Sequence, residues 1–217
     1  MKPRPTVTFH VVRADGGPEV TVAMRNQVLT CGKKGDLALH LDPFVAPTQA
    51  RFAFTDQRLA VEDVGGGNGV FLRVRREHEL SSGGELRVGR QRLVVEPIAP
   101  SAPAADGTLI WGSPDKDYRF KLVQMLEGGL RGSSWVLKEG DNHLGRASGD
   151  ITFPTDAFVS SRHACLRVQA KRLVVQDVGS SNGTFVRLVA PTFVEDGDHF
   201  LIGRELFRVQ IATKPPR

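Results

Sequence analysis

The sequence predicts an all-β protein arranged as two tandem β-sandwiches joined by a Pro/Ala-rich linker, and three observations carry that expectation. Short runs that alternate apolar and polar residues recur between clusters of turn-forming residues. The chain holds 23 Gly and 13 Pro, a composition suited to many turns rather than long helices. The second half also repeats the first at a constant offset of 114 residues, pairing Phe44 with Phe158, Asp63 with Asp177, Asn68 with Asn182 and Gly89-Arg90 with Gly203-Arg204. An ungapped correspondence of that length is the mark of an internal duplication.

Taken in order, Val7 to Val12 alternates as a strand does, Asp15-Gly16-Gly17-Pro18 is a turn, and Val20 to Leu29 spans one or two further strands. Arg51 to Phe54 and Leu59 to Val64 flank a turn at Asp56-Gln57. A glycine loop, a strand from Val70 to Val74, a polar turn from Ser81 to Gly84 and a strand from Glu85 to Val95 complete the first half. Residues 98–117 lack periodicity and are rich in Pro and Ala, which predicts a linker between a domain at 1–97 and a domain at 118–217, with Leu109-Ile110-Trp111 free to dock on either. Strand grammar resumes at Tyr118 to Val123, followed by a turn at Glu127-Gly128-Gly129, a strand from Ser134 to Leu137 and a turn at Glu139-Gly140-Asp141.

The net charge of +5 is spread evenly over the two halves, with no run of five or six basic residues. That pattern argues against a nucleic-acid interface and leaves a mild bias toward anionic partners. Two cysteines, one in each half, are too few for a disulfide framework, so both are expected as buried thiols. The six histidines and two cysteines show no metal-ligand spacing, and neither a metal nor any other cofactor is expected. No apolar segment is long enough to span a membrane and no signal-like leader opens the chain, which leads to the expectation of a cytoplasmic protein with no membrane association.

Three loops carry the functional reading: Leu144-Gly145-Arg146, Phe158-Val159-Ser160-Ser161-Arg162-His163-Ala164, and Asp177-Val178-Gly179-Ser180-Ser181-Asn182-Gly183-Thr184-Phe185. In order and spacing they resemble the signature of the forkhead-associated (FHA) domain, a β-sandwich that reads phosphothreonine. The resemblance covers roughly residues 118–212 and implies roughly eleven short strands per repeat, with the loops of one end converging. It also implies that Arg146 and Ser160 bind the phosphate, with Ser161 adding a donor. Asn182 would bind the ligand backbone, Ser181 would stand where the family often has threonine, and Arg162 would meet ligand side chains. Gly145, His163 and Gly183 would support the site structurally. The chemistry is coherent, because a phosphate with about −1.5 to −2 charge and three acceptor oxygens asks for a fixed cation and for hydroxyl or backbone donors. Selectivity is expected from the 158–162 loop and from the loop around Glu195 to Asp198.

The first repeat reads as a degenerate copy. Ser160, Ser161, His163 and Ser181 become Ala46, Pro47, Gln49 and Gly67, and Gly145-Arg146 becomes Gly32-Lys33 in a loop one residue shorter. Lysine is a point charge without arginine's fork, so residues 1–97 are expected to keep the fold without reading phosphothreonine. Other motif matches lack context. Gly179-Ser180-Ser181-Asn182-Gly183, with Asp196, Asp198 and His199 following, fits the nucleophile-elbow expression, yet a strand-like segment follows it where a helix is required. The Gly65 to Gly69 loop lacks the Lys-Ser/Thr of a phosphate-binding loop.

The resulting expectation is a non-catalytic adaptor, in the context of Ser/Thr kinase signalling, that captures a threonine-phosphorylated protein through its second repeat. Residues 1–97 would offer a second protein contact or self-association. The alternative is a phosphorylation-independent assembly protein that uses both sandwiches as interfaces. Thr108, in the expected linker, is a conceivable phosphosite.

Overall fold

The computed structural model describes residues 5–14, 16–55, 58–99, 101–114 and 118–212. The turn expected at Asp56-Gln57, Asp15 of the first turn and residues 115–117 of the expected linker lie outside them. Among the described residues the chain is β-strands and connecting loops, with one 3₁₀ turn at Glu127–Gly129 where a turn is expected. It divides into two units, each holding one five-stranded sheet of its own. Unit 1 is Met1–Arg73 with Phe185–Arg217, and unit 2 is Val74–Thr184.

Unit 1 begins with β1 (Thr6–Val12), β2 (Val20–Ala23), β3 (Val28–Gly32), β4 (Leu37–Ala38), β5 (Ala50–Thr55), β6 (Arg58–Asp63) and β7 (Val70–Arg73). The chain then leaves for unit 2, which holds β8 (His78–Leu80), β9 (Glu85–Val88), β10 (Gln91–Pro97), β11 (Phe120–Met125), β12 (Arg131–Leu137), β13 (Gly140–Gly145), β14 (Ile151–Thr152), β15 (Ala164–Gln169) and β16 (Arg172–Asp177). After β17 (Thr184–Arg187) it returns to complete unit 1 with β18 (Thr192–Phe193), β19 (His199–Ile202) and β20 (Glu205–Ala212).

The pairing makes this exchange explicit. In unit 1, β20 lies antiparallel to β1 with Phe9 opposite Val209, β19 pairs β7 with Phe200 opposite Leu72, and β18 pairs β6 with Thr192 opposite Val61. In unit 2, β10 pairs β11 with Val94 opposite Val123, and β8 pairs β16 with Val174 opposite Glu79. Each unit is thus completed by the last strands of the other repeat. The partition differs from the expected boundaries of 1–97 and 118–217. Pro97 and Phe120, which flank the expected linker, are register partners within unit 2, so the stretch between them does not join the two units. The physical reason is the duplication itself. β8 and β18 occupy equivalent positions 114 residues apart, so either can satisfy the edge of β6 or β16 without changing the alternation that marks a strand.

That alternation is also what builds the cores. Val7, Phe9 and Val11 of β1 point inward while their neighbours do not. Phe9 packs on Phe52 with ring centroids 4.5 Å apart, and Phe52 meets Phe200 edge-on at 5.9 Å, so a second-repeat phenylalanine sits in a first-repeat core. In unit 2, Leu86, Val88, Leu93 and Val95 from the first repeat are buried along with Leu122, Leu144, Leu166, Leu173 and Val175 from the second. Burying a side chain of this size contributes about 1.5–3 kcal/mol, so the exchanged strands are integral to each core. Leu109, Ile110 and Trp111 do not dock: they are exposed, Trp111 to 95%.

Candidate functional site

All the residues that the sequence nominates lie in unit 2, at the loop ends of β13, β15 and β16. Backbone hydrogen bonds sew the first two loops together. Arg146 N donates to Ser160 O at 2.9 Å, and Ser148 N donates to Ser161 O at 3.2 Å. Gly145 makes that approach possible, since a Cβ there would lie 2.2 Å from Ser161 O and 2.4 Å from Ser148 O. Arg146 is exposed, and among the described residues its guanidinium has no hydrogen-bond or ion-pair partner. The same is true of Arg162.

His163 is fully buried and joins the loops from beneath. Its Nδ1 accepts from Ser160 N at 3.0 Å, and its Nε2 lies 3.0 Å from Gly183 O. A backbone N–H can only donate and a carbonyl can only accept, so the ring is neutral at Nδ1 and carries its proton on Nε2. The His163 backbone continues the lacing, with its N donating to Leu144 O and its O accepting from Val178 N.

The third loop folds around Asp177, whose carboxylate accepts from Gly179 N, Ser180 N, Ser180 Oγ and Thr184 Oγ1 at 2.6 to 3.0 Å. Burial raises the Asp177 pKa, but these bonds from Ser180, Thr184 and Gly179 outweigh it and hold the carboxyl below its ordinary value. Gly179 and Gly183 take φ of 88° and 87°, left-handed values at which a side chain is strained. The outcome is a rim. Ser160 Oγ accepts from Ser181 N at 3.0 Å, which occupies a lone pair and leaves the hydroxyl proton available. Asn182 Nδ2 donates to Phe158 O at 2.8 Å, pinning the second loop to the third. Ser161, Arg162, Ser181 and Asn182 are exposed, and Ser160 is half-buried.

Sequence reasoning missed what holds the Phe158 end of this rim. Asp156, nearly buried, accepts from Phe158 N at 3.0 Å, from Arg90 N at 2.8 Å and from Gln91 Nε2 at 2.7 Å. The Arg90 guanidinium also lies 4.5 Å from the centroid of the Phe158 ring. These two residues come from the first repeat, and only the exchange of strands brings them here. The loop from Glu195 to Asp198, expected to tune selectivity, belongs instead to unit 1.

The degenerate copy in unit 1 keeps the architecture and loses the donors. Lys33 N donates to Ala46 O at 3.0 Å, as Arg146 N does to Ser160 O, and Asn68 Nδ2 donates to Phe44 O at 2.9 Å. Buried Gln49 reproduces half of the histidine brace: its Oε1 accepts from Ala46 N at 3.1 Å, as His163 Nδ1 does from Ser160 N, but its Nε2 donates to Gly66 O at 3.2 Å and to Asp63 Oδ1 at 2.8 Å rather than to Gly69, the equivalent of Gly183. A shallow cavity of about 200 Å³, lined by residues including Phe44, Ala46, Gln49 and Asn68, remains at this end. No hydroxyl stands where Ser160 does.

The nucleophile-elbow match lacks its helix, because Thr184–Arg187 is a strand. Asp141, His143 and Cys165 do meet on the outer face of β13 and β15, with potential ligand atoms within 4.8 Å of one another, a cluster that sequence spacing does not reveal. Arg167 Nε occupies Asp141 Oδ1 at 2.7 Å, which places a cation against the carboxylate that a metal would need. No helix among the described residues is long and apolar enough to cross a membrane.

Comparison with known proteins agrees with these features. The chain is 34% identical over 83 residues to the FHA domain-containing protein FhaB of Mycobacterium tuberculosis, covering 38% of this chain and about half (53%) of that protein. It is 34% identical over 118 residues to the glycogen accumulation regulator GarA of Mycolicibacterium smegmatis, covering 52% of this chain and 73% of that protein. A solved structure described as an analysis of phosphothreonine-dependent FHA domain interactions shares 29% identity, covers 45% of this chain and 98% of its own, and superposes with a TM-score of 0.28. The FHA domain profile matches twice, over residues 25–89 and 142–203, and the chain belongs to the FHA domain family.

Proposed function

We propose that this protein is a non-catalytic adaptor that captures a threonine-phosphorylated protein through the loop end of unit 2, downstream of a Ser/Thr kinase. The observation that carries the reading is the combination of Arg146 and Ser160: an exposed, uncommitted guanidinium whose backbone is bonded to the residue carrying a hydroxyl that accepts from Ser181 N and keeps its own proton to donate. A phosphate needs a fork-shaped cation and a neutral donor on a rigid base, and His163 and Asp177 supply that base. Ser161 and Ser181 add donors, Asn182 fixes the ligand backbone, and Arg162 contacts residues beside the phosphothreonine. The name of GarA as a regulator and the phosphothreonine-dependent interactions of the solved FHA structure fit a binding rather than an enzymatic role.

Fluorescence anisotropy with phosphothreonine peptides and their unphosphorylated counterparts tests this. The phosphorylated form binds, and Arg146→Ala removes a charge-assisted contact of about 1.5–3 kcal/mol, roughly a 10- to 150-fold loss. Equal binding of both peptide forms, or an unchanged affinity in Arg146→Ala, overturns the reading. A second reading, phosphorylation-independent assembly, is favoured for unit 1 by the partly retained brace at Gln49 without donors around it. Capture of a partner or of a second copy through residues 1–73, unaffected by phosphatase, supports it there.

A further inference from the structure

We propose that the phosphothreonine site is a composite of both repeats, in which Arg90 and Gln91 of the first repeat are positioning residues for the Phe158 to Ser160 loop of the second. The inference rests on the reading of unit 2 as a phosphopeptide-binding end, and adds what sets the geometry of that end. Asp156 is the connecting group. One of its oxygens accepts from Phe158 N, fixing the turn that leads into Ser160, while the other accepts from Arg90 N and Gln91 Nε2. Gln91 is itself aimed by Gln124, whose Nε2 donates to Gln91 Oε1 at 2.7 Å. Gly89 permits the approach, since a Cβ there would lie 2.7 Å from Val159 Cγ2 and 3.0 Å from Asp156 Oδ2.

The residues that would take these places in an unexchanged second repeat are not equivalent. At the offset of 114, Arg90 corresponds to Arg204 but Gln91 corresponds to Glu205. A glutamine amide donates to the nearly buried Asp156 carboxylate, whereas a glutamate there sets two carboxylates against each other at hydrogen-bond distance, which is strongly unfavourable away from water. In unit 1 the corresponding carboxylate, Asp42, accepts from Arg204 N at 2.6 Å, and Glu205 turns away to accept from Ala14 N at 2.7 Å. The exchanged arrangement therefore matches a donor to Asp156 and gives Glu205 a donor of its own. The site's second loop is held by a part of the chain that precedes it by more than sixty residues, as the Arg90 to Asp156 separation of 66 shows.

Two measurements on the full chain test this and separate it from the phosphothreonine reading. The first reads the exchange alone. Glu79 and Val174 are register partners on β8 and β16, so the double variant Glu79→Cys/Val174→Cys forms a disulfide within one chain on mild oxidation, identified by peptide mass mapping. The control Phe193→Cys/Val174→Cys, which would link in an unexchanged repeat, does not form one. Cross-linking in the control instead of the test pair, or only between two copies, overturns the proposal whether or not any peptide binds. The second reads positioning. Gln91→Glu lowers phosphothreonine-peptide affinity by about tenfold or more at pH 7, Glu205→Gln leaves it within about twofold, and the gap between Gln91→Glu and wild type narrows as pH falls toward 5, where a protonated carboxyl donates to Asp156 as the amide did. If wild-type binding is present and Gln91→Glu leaves it unchanged, or the gap between them does not narrow at low pH, Arg90 and Gln91 do not position the site.

Discussion

Replacing His163 with alanine removes the side chain that ties the second loop of the unit 2 rim to the third. The ring is 0% exposed, and its two nitrogens serve Ser160 N and Gly183 O, both at 3.0 Å. Two hydrogen bonds contribute about 0.5–1.5 kcal/mol each, and leaving a buried donor and a buried carbonyl without partners costs about 1–3 kcal/mol more. A void of ring size adds to this, so the expected loss is about 3–5 kcal/mol, toward the upper end for a single substitution. The first repeat supplies the rescue. Gln49 keeps the bond to Ala46 N, the equivalent of Ser160 N, but sends its Nε2 to Gly66 O and Asp63 Oδ1 and not to Gly69, the equivalent of Gly183, so His163→Gln is expected to restore the Ser160 bond and recover about half of the loss. Urea unfolding followed by tryptophan fluorescence is suitable, because Trp135 stands in unit 2, against Phe153. A separate transition for each unit is fitted separately. A loss below about 1 kcal/mol for His163→Ala, or no advantage of Gln over Ala, refutes the assignment of His163 as the brace.

Three further outcomes follow from the same geometry. Gly145→Ala drives a methyl group against the Ser161 and Ser148 carbonyls, so it is expected to destabilise unit 2 by about 2 kcal/mol or more and to weaken phosphopeptide binding, both read by the assays above. Asp177 has a folded pKa below its ordinary 3.8, so its contribution is present above that value and is lost as pH falls through the lower one; the stability gap between wild type and Asp177→Asn is expected to narrow between pH 7 and pH 3. Burial pushes the Cys31 thiol up to about 12 and raises Cys165 as well, so native protein is expected to show no fast-reacting thiol toward Ellman's reagent until denaturant is added.

Much of the site is legible in the sequence because its parts are local. Gly145-Arg146, Ser160 to His163 and Ser180 to Gly183 each lie within a single loop, and the residue types state their chemistry. The brace is legible only in outline. That glutamine keeps the bond to the residue three before it, while its amide nitrogen goes to Gly66 and Asp63 rather than to the equivalent of Gly183, appears only when the bonds of Gln49 are compared with those of His163. Asp156, Arg90 and Gln91 are not legible as site residues at all, since nothing in a turn such as Phe153-Pro154-Thr155-Asp156 indicates which distant hairpin it will meet.

The exchange of strands escapes sequence reading for a deeper reason. Alternation and turn spacing report that a strand exists and which face is apolar, and these are the properties that duplication copies. β8 and β18 therefore look alike in pattern, and only positions where the copies diverge can choose between partners. Several such positions favour exchange. Arg167 is bonded to Glu77 at 3.0 Å, and the residue equivalent to Glu77 is Pro191, which offers no carboxylate. Arg131 and Lys121 both pair with Glu96, whose equivalent is Gln210, and Gln210 Oε1 instead accepts from His10 Nε2 at 3.1 Å. Arg172 pairs with Glu79, whose equivalent Phe193 carries the Arg58 guanidinium 3.9 Å from its ring centroid. Exposed pairs of this kind contribute only about 0–1 kcal/mol each, which is small against either core. Both pairings bury equivalent apolar strands, however, so the cores nearly cancel between them, and a sum of small polar differences, with Gln91 against Asp156 the most buried, is enough to decide which repeat completes which site.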